Sequence, residues 1–128
     1  MRILALITAR GGSKRIPRKN LRQLGACPLI IWTIQAIEGL SNICDTLMTT
    51  DDEEIASLAA AYGVMVPWLR PFELSGDAAS SVDVCLHALD WYEEAHGHVD
   101  GLLLLQPTSP FRRKSTINRG LSCFLRDP

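Results

Sequence analysis

The sequence predicts an α/β fold, a doubly wound and mainly parallel sheet with helices on both faces, and three observations carry that expectation. The runs Ile3 to Thr8 and Val99 to Leu105 are rich in apolar residues, so each suits a strand covered on both sides, and Ile43 to Thr49 reads as a further strand. Stretches of helical periodicity lie between and after these runs, and glycines at Gly39, Gly63 and Gly97 stand where helices should stop. Repeated strand-then-helix units place successive strands parallel, joined by right-handed crossovers.

Each element has its own signal. The strand Ile3 to Thr8 delivers a basic stretch, and Leu21 to Ala26 reads as an irregular connection. Pro28 suits the first turn of a helix to about Ile37, with Leu29, Ile30, Trp32, Ile34 and Ile37 around much of its circumference, so Trp32 is expected in the core. After the strand Ile43 to Thr49, the residues Thr50-Asp51-Asp52-Glu53 fit a capping box opening a helix through Tyr62. Val64 to Val66 is a short third strand, followed by a loop from Pro67 to Ser80. Ser80 or Ser81 can cap the next helix, Val82 to about Ala95, whose stripe is Val82, Cys85, Leu86 and Leu89. Val99 to Leu105 reads as a fully buried fourth strand ending in the stiff turn Gln106-Pro107-Thr108-Ser109-Pro110. Ser115 can cap a last helix bearing Ile117, Leu121, Phe124 and Leu125.

The 128 residues suit one domain, and 47% apolar with 21% charged residues is ordinary globular composition. A net charge of −1 argues against a general nucleic-acid or membrane-surface binder, and no apolar run reaches the ~18 residues that span a bilayer. The expected compartment is the cytoplasm. Cys27, Cys44, Cys85 and Cys123 are scattered without metal-ligand spacing, so each is expected to be a small buried residue. His96-Gly97-His98 makes a poor metal clip, because Gly97 falls where a helix should end.

The charge is unevenly distributed. The first acid is Glu38, so residues 1–37 sum to +7 and the remaining ninety-one to −8. Arg10, Lys14, Arg15, Arg18 and Lys19 place five of the thirteen basic side chains within ten residues. Gly11 and Gly12 let the backbone turn N–H groups toward an anion, Ser13 adds a hydroxyl donor, and Pro17 restricts the loop. Such a loop at the carboxyl end of a buried strand suits a phosphate chain, because open α/β sheets hold ligands there. The plainer alternative is a solvated basic surface loop. No aromatic residue interleaves with the cations, which disfavours single-stranded RNA. Neither G-x-G-x-x-G nor G-x-x-x-x-G-K-[ST] occurs, which disfavours a dinucleotide dehydrogenase or a P-loop NTPase. The acids Asp51 to Glu54 suit a helix first turn better than a metal site.

Three blocks resemble one family. Ala9-Arg10-Gly11-Gly12-Ser13-Lys14 with Ile16-Pro17 and Lys19-Asn20 resembles the nucleotide-binding loop of the acylneuraminate cytidylyltransferases, the CMP-sialic acid synthetases. Leu69-Arg70-Pro71 with Glu73-Leu74 and Asp77 to Ser81, and Leu104 to Pro110 with Arg112, match the same family in order and spacing. The resemblance implies a Rossmann-like fold of the nucleotide-diphospho-sugar transferase type. It implies Mg²⁺-dependent transfer of CMP from CTP to a nine-carbon sugar acid, with release of pyrophosphate, by a homodimer. Arg10 and Lys19 are then the catalytic cations facing the triphosphate, within a nucleotide loop of Ala9, Gly11, Gly12, Ser13 and Lys14. Asn20, Arg70 and Ser81, with Ser80 beside it, surround cytosine and ribose, although Arg70 also suits a surface salt bridge to Glu73. Gln106, with Thr108 and Ser109, holds the acceptor sugar, and Asp51, the aspartate after the second strand, lies near the nucleotide site and is the one metal candidate within the sequence.

Residues 1–128 are expected to form the N-terminal, nucleotide-binding part of such a domain. In the family the C-terminal part carries the magnesium-binding aspartates, much of the sugar pocket and the dimerisation segment. The expected metal ligands therefore lie beyond Pro128, and the chain as it stands is expected to show weak or no turnover. Two rivals stand beside this expectation: a legionaminic or pseudaminic acid cytidylyltransferase, and a catalytically silent module that binds CTP or phosphate.

Overall fold

The computed structural model describes residues 2–9, 23–24, 27–40, 42–71, 74 and 80–106. The last predicted helix, the Cys27 side chain, Cys123 and the terminal Pro128 lie outside that description. The centre of the sheet is β1 (Ile3–Ala9), whose residues alternate between two cores. It pairs in parallel with β4 (Ile43–Thr50) on one side and β5 (Gly101–Leu105) on the other. Ala9 lies opposite Thr50, and Ile7 opposite Leu105.

The predicted strand Val64 to Val66 contracts to one parallel bridge, Met65 to Leu47, with two 2.9 Å hydrogen bonds to Thr46 and Met48. Gly63, at φ 84°, has only just closed the preceding helix, and Pro67 has no N–H to extend the ladder. The spatial order is therefore Met65, β4, β1, β5, with the direction of winding reversing between β1 and β5.

Helices cover both faces, as expected. The helices α1 (Leu29–Ile37) and α2 (Glu53–Ala61) pack on the face carrying Ile3, Ala5, Ile7 and Ala9, through Ile30, Ile31, Ile34, Ile37, Ile55 and Ala59. On the other face α3 (Ser81–His96) lays Ala88 and Tyr92 against Leu4, Leu6 and Leu47. Parallel apolar strands thus obtain the two-sided cover that their composition demands.

Several local expectations are corrected. Residues 21–26 are not wholly irregular, because β2 (Gln23–Leu24) pairs antiparallel with β3 (Cys27–Pro28). Pro28 is the N-cap of α1, not a residue of its first turn, and Trp32 is only half-buried. Asp52, not Thr50, caps α2: its carboxylate accepts from the N–H groups of Glu54 and Ile55, while the Thr50 hydroxyl accepts from the Asp52 N–H. The inward stripe of α3 differs from the expected one. Val82 and Leu86 are 66% and 50% exposed, whereas Val84, Ala88 and Tyr92, spaced four apart, are buried. β5 starts at Gly101, after Val99, and Leu104 is exposed because β5 pairs only with β1 among the described residues. Cys44 is exposed, contrary to expectation, while Cys85 is half-buried and burial raises its thiol above the ordinary range. No described helix is long and apolar enough to cross a membrane.

A polar clasp closes the amino edge of the sheet. Arg2 donates from its backbone N–H to the Asp100 carboxylate (2.7 Å), from Nη1 to the carbonyl of His98 (2.7 Å) and from Nη2 to the Tyr92 hydroxyl (3.1 Å). The Tyr92 hydroxyl donates in turn to Asp45 Oδ2, and the Cys44 thiol lies 3.5 Å from it. His98 pairs with Glu93 at 2.9 Å, and the ring of His96 stacks on Tyr92. The clasp fastens the end of α3 to the starts of β1, β4 and β5.

Candidate functional site at the carboxyl edge

A doubly wound sheet offers a crevice where its winding reverses, outside the carboxyl ends of the two strands that flank the reversal. Here those ends are Ala9 of β1 and Leu105 of β5, one on each side of the place from which the basic stretch departs. Ala9 is buried against Thr50, and Gln106, the next residue after β5, is exposed. Two of the expected site residues therefore stand at one edge because the strand order brings them there, although they lie far apart in the chain.

Arg70 joins them through β4. It is only 7% exposed, and three of its hydrogen bonds run to the carboxyl end of that strand. Its backbone N–H donates to the Thr50 carbonyl (2.7 Å), Nε to the Thr49 hydroxyl (3.0 Å) and Nη2 to the Thr49 carbonyl (2.7 Å). Nη1 reaches the Leu74 carbonyl at 3.5 Å. Glu73, the alternative ion-pair partner, lies outside the described residues. Sequence reasoning misses Thr49, whose only signal is a buried-type strand position occupied by a hydroxyl.

The three helices point their starts toward the same edge, since each connects two parallel strands. For α3 the clasp proves the direction: Tyr92 and His96 sit at the amino edge, so a helix of about 24 Å begins near the carboxyl edge. Ser80 is its N-cap, accepting from the Asp83 N–H at 3.0 Å, and Ser81 is its first residue. The start of α2 is already answered by Asp52, Glu53 and Glu54. That of α1 has no acid in its first turn and, among the described residues, no side-chain cap, so its dipole favours an anion.

The chemistry expected of Arg10, Gly11, Gly12, Ser13, Lys14, Lys19 and Asn20 falls outside the described residues, as does that of Thr108 and Ser109. Asp51 is exposed at the end of β4, beside the capping Asp52. No group of three or more described His, Cys, Asp or Glu residues could hold a metal ion, so the described residues do not themselves form a seat for Mg²⁺. Among the described residues Asp51 belongs to no such group, and the expectation that the ligands lie beyond Pro128 concerns residues outside this sequence.

Comparison with known proteins adds a second line. A family profile described as cytidylyltransferase matches residues 4–121. The CMP-N,N'-diacetyllegionaminic acid synthase of Legionella pneumophila is 43% identical over 121 residues, which are 94% of this chain and 52% of that protein. The N-acylneuraminate cytidylyltransferase of Escherichia coli is 40% identical over 116 residues, 91% of this chain and 26% of that protein. The chain thus spans about half the length of the first of these relatives and less of the second. Among solved structures, a CMP:2-keto-3-deoxy-manno-octonic acid synthetase complexed with CTP superposes with a TM-score of 0.80. That match covers 100% of this chain and 49% of the other at 22% identity, which establishes a shared fold.

Proposed function

The chain belongs to the cytidylyltransferase family, and on that premise we propose that it forms the nucleotide-binding half of an enzyme transferring CMP from CTP to a nonulosonic sugar acid. One observation carries the reading. The winding of the sheet reverses between β1 and β5, and a stretch with five cations and a Gly-Gly pair leaves β1 at that crevice. The dipole at the start of α1 favours the same anionic ligand.

In the proposed reaction the anomeric hydroxyl of the sugar attacks the α-phosphorus in line. A new P–O bond forms, the bond to the β-phosphate breaks, the hydroxyl proton is lost and pyrophosphate leaves. Such transfer asks the protein to orient two substrates and to neutralise charge on the phosphate oxygens. Arg10 and Lys19 supply that neutralisation, with Lys14 assisting and Ser13 and the backbone of Gly11 and Gly12 donating to the phosphates. Arg70, Asn20, Ser80 and Ser81 bind cytosine and ribose, and Gln106, Thr108 and Ser109 bind the sugar acid. The names of the relatives favour a nine-carbon acid of the legionaminic or neuraminic type. Mg²⁺, cytoplasmic placement and a homodimeric full-length enzyme belong to the same proposal, with no described residue assigned to the metal and its ligands placed beyond Pro128.

Calorimetric titration of the chain with CTP, GTP and ATP tests it. CTP is expected to bind selectively, and Arg10→Ala and Arg70→Ala are each expected to weaken it about tenfold or more, the loss of one charge-assisted contact. Equal binding of all three nucleotides, untouched by Arg70→Ala, would sink the reading. Product formed from CTP and sugar acid by the full-length enzyme, against none, separates it from the silent binding module.

A further inference from the structure

Three threonine hydroxyls stand at the carboxyl ends of the neighbouring strands β1 and β4, and two of them are already engaged. The Thr49 hydroxyl accepts from Arg70 Nε (3.0 Å), and the Thr50 hydroxyl accepts from the Asp52 N–H (3.2 Å). Thr8 is the third, and among the described residues its hydroxyl makes no hydrogen bond. It is also the one polar side chain of β1 and the one residue of that strand that is only half-buried.

The place of Thr8 in the sheet says what its hydroxyl can meet. The ladder between β1 and β5 ends at Ile7 and Leu105, so Thr8 stands one residue beyond it, in the crevice where the winding reverses. On its other side it lies opposite Thr49, to which Arg70 is bonded. Strand alternation puts Thr8 on the face of Leu4 and Leu6, which α3 covers, and α3 starts near the same edge with Ser80 and Ser81. Thr8 thus shares its face with residues proposed for cytosine and ribose, whereas the phosphates are assigned to the stretch that follows it.

We infer that Thr8 is a binding residue whose hydroxyl hydrogen-bonds the nucleoside of the bound nucleotide. The inference rests on the proposed CTP site at the reversal of the sheet. A nucleoside seated there closes the half-buried hydroxyl off from water, and a hydroxyl buried without a partner is costly, so ligand and threonine have to be paired. A hydroxyl both donates and accepts, so it serves a pyrimidine that presents an amine or a carbonyl at one place, and a ribose hydroxyl equally. Thr8 therefore adds affinity without setting the CTP-to-UTP preference. Its β-branched side chain, stiff at χ1 and held in the central strand, offers the hydroxyl with little freedom left to lose.

The test is calorimetric titration of the chain with CTP, UTP and inorganic triphosphate for the wild type, Thr8→Val, Thr8→Ser and Arg10→Ala, with thermal melts alongside. Thr8→Val keeps the shape and the preference for a strand and removes only the hydroxyl. It is expected to weaken CTP and UTP alike by about three- to tenfold, the worth of one hydrogen bond, and to leave inorganic triphosphate unchanged. Thr8→Ser restores the hydroxyl and is expected to bring CTP back to within about twofold of the wild type. A merely structural role would lower the melting temperature and weaken triphosphate along with CTP. That result overturns the inference, as does a Thr8→Val chain that binds CTP like the wild type. In either case, CTP binding that still falls in Arg10→Ala leaves the proposed function standing. A wild-type chain that binds no nucleotide removes the proposed function and the inference together. If Thr8→Val fails to fold, Thr8→Ala decides by the same comparison: loss of CTP with triphosphate unchanged supports the contact, and equal losses refute it.

Discussion

The two edges of the sheet use polar side chains in opposite ways. At the amino edge the partners are distant in sequence: Arg2 bonds to Tyr92, His98 and Asp100, and Tyr92 to Asp45. At the carboxyl edge most of the described side-chain bonds span two or three residues, from Thr50 to Asp52, from Asp52 to Glu54 and Ile55, and from Ser80 to Asp83. Long-range bonds weld elements together, whereas these local bonds each finish a helix or strand end. The exception is Arg70, which reaches twenty-one residues back to Thr49. The contrast assigns the fastening of the sheet to the amino edge and, under the proposed function, ligand recognition to the carboxyl edge.

The strongest way to break this comparison is Tyr92→Ala. Removing a fully buried ring from the second core, together with the centre of the clasp, is expected to cost about 4 kcal/mol in denaturant unfolding. CTP affinity of the remaining folded protein should stay within about twofold, because sites this far apart behave independently. A large loss of affinity would mean that the edges are coupled.

Next comes pH. Burial, and then the hydrogen bond to Asp45, raise the Tyr92 hydroxyl well above its ordinary value of 10.0. A folded-state pKa above the unfolded one contributes stability that is complete below pH 10 and is lost as pH rises toward the folded value. This group alone should make unfolding easier by about 1.4 kcal/mol per pH unit above that point. Tyr92→Phe should remove that slope. An unchanged alkaline limb in the phenylalanine variant would show that other groups govern it.

The smallest effect sharpens the comparison from the other side. Asp52 belongs to the carboxyl edge but serves α2, so Asp52→Ala is expected to cost about 1 kcal/mol of stability. It should leave the CTP-to-UTP preference intact. A changed preference would extend the recognition surface to the start of that helix.

What can be read from the sequence follows from the range of the interactions involved. The central strand is legible because Ile3 to Ile7 announces two-sided burial by composition alone. The same sign over Leu102 to Leu105 overstates the burial of β5, where only Leu105 is fully buried. The glycine stops are legible because φ near 84° or 94° at Gly63 and Gly97 suits glycine. Ser80 as a cap is a local matter and is one of two residues the sequence nominates. The inward face of α3 is misread because Val82 and Leu86 form as good an apolar stripe as Val84, Ala88 and Tyr92, and only the position of the sheet decides between them. The clasp is illegible, since nothing near Arg2 in the chain points to Tyr92. Arg70 is singled out by family resemblance, but its bond to Thr49 depends on where the loop returns to β4.

The placement of β1 also governs how the molecule can be made. The central strand emerges from the ribosome before either of its partners, and the strand on its second side ends ninety-six residues later, about 5 to 20 s at ordinary rates of synthesis. Through that interval this strongly apolar segment has a bare hydrogen-bonding edge, a template for pairing with any other extended chain. A nucleotide cannot help at this stage, because the crevice between β1 and β5 does not exist until Leu105 is in place. The nascent chain therefore carries an open β1 edge until β5 is complete, and the exposure lengthens with any slowing of synthesis before Leu105.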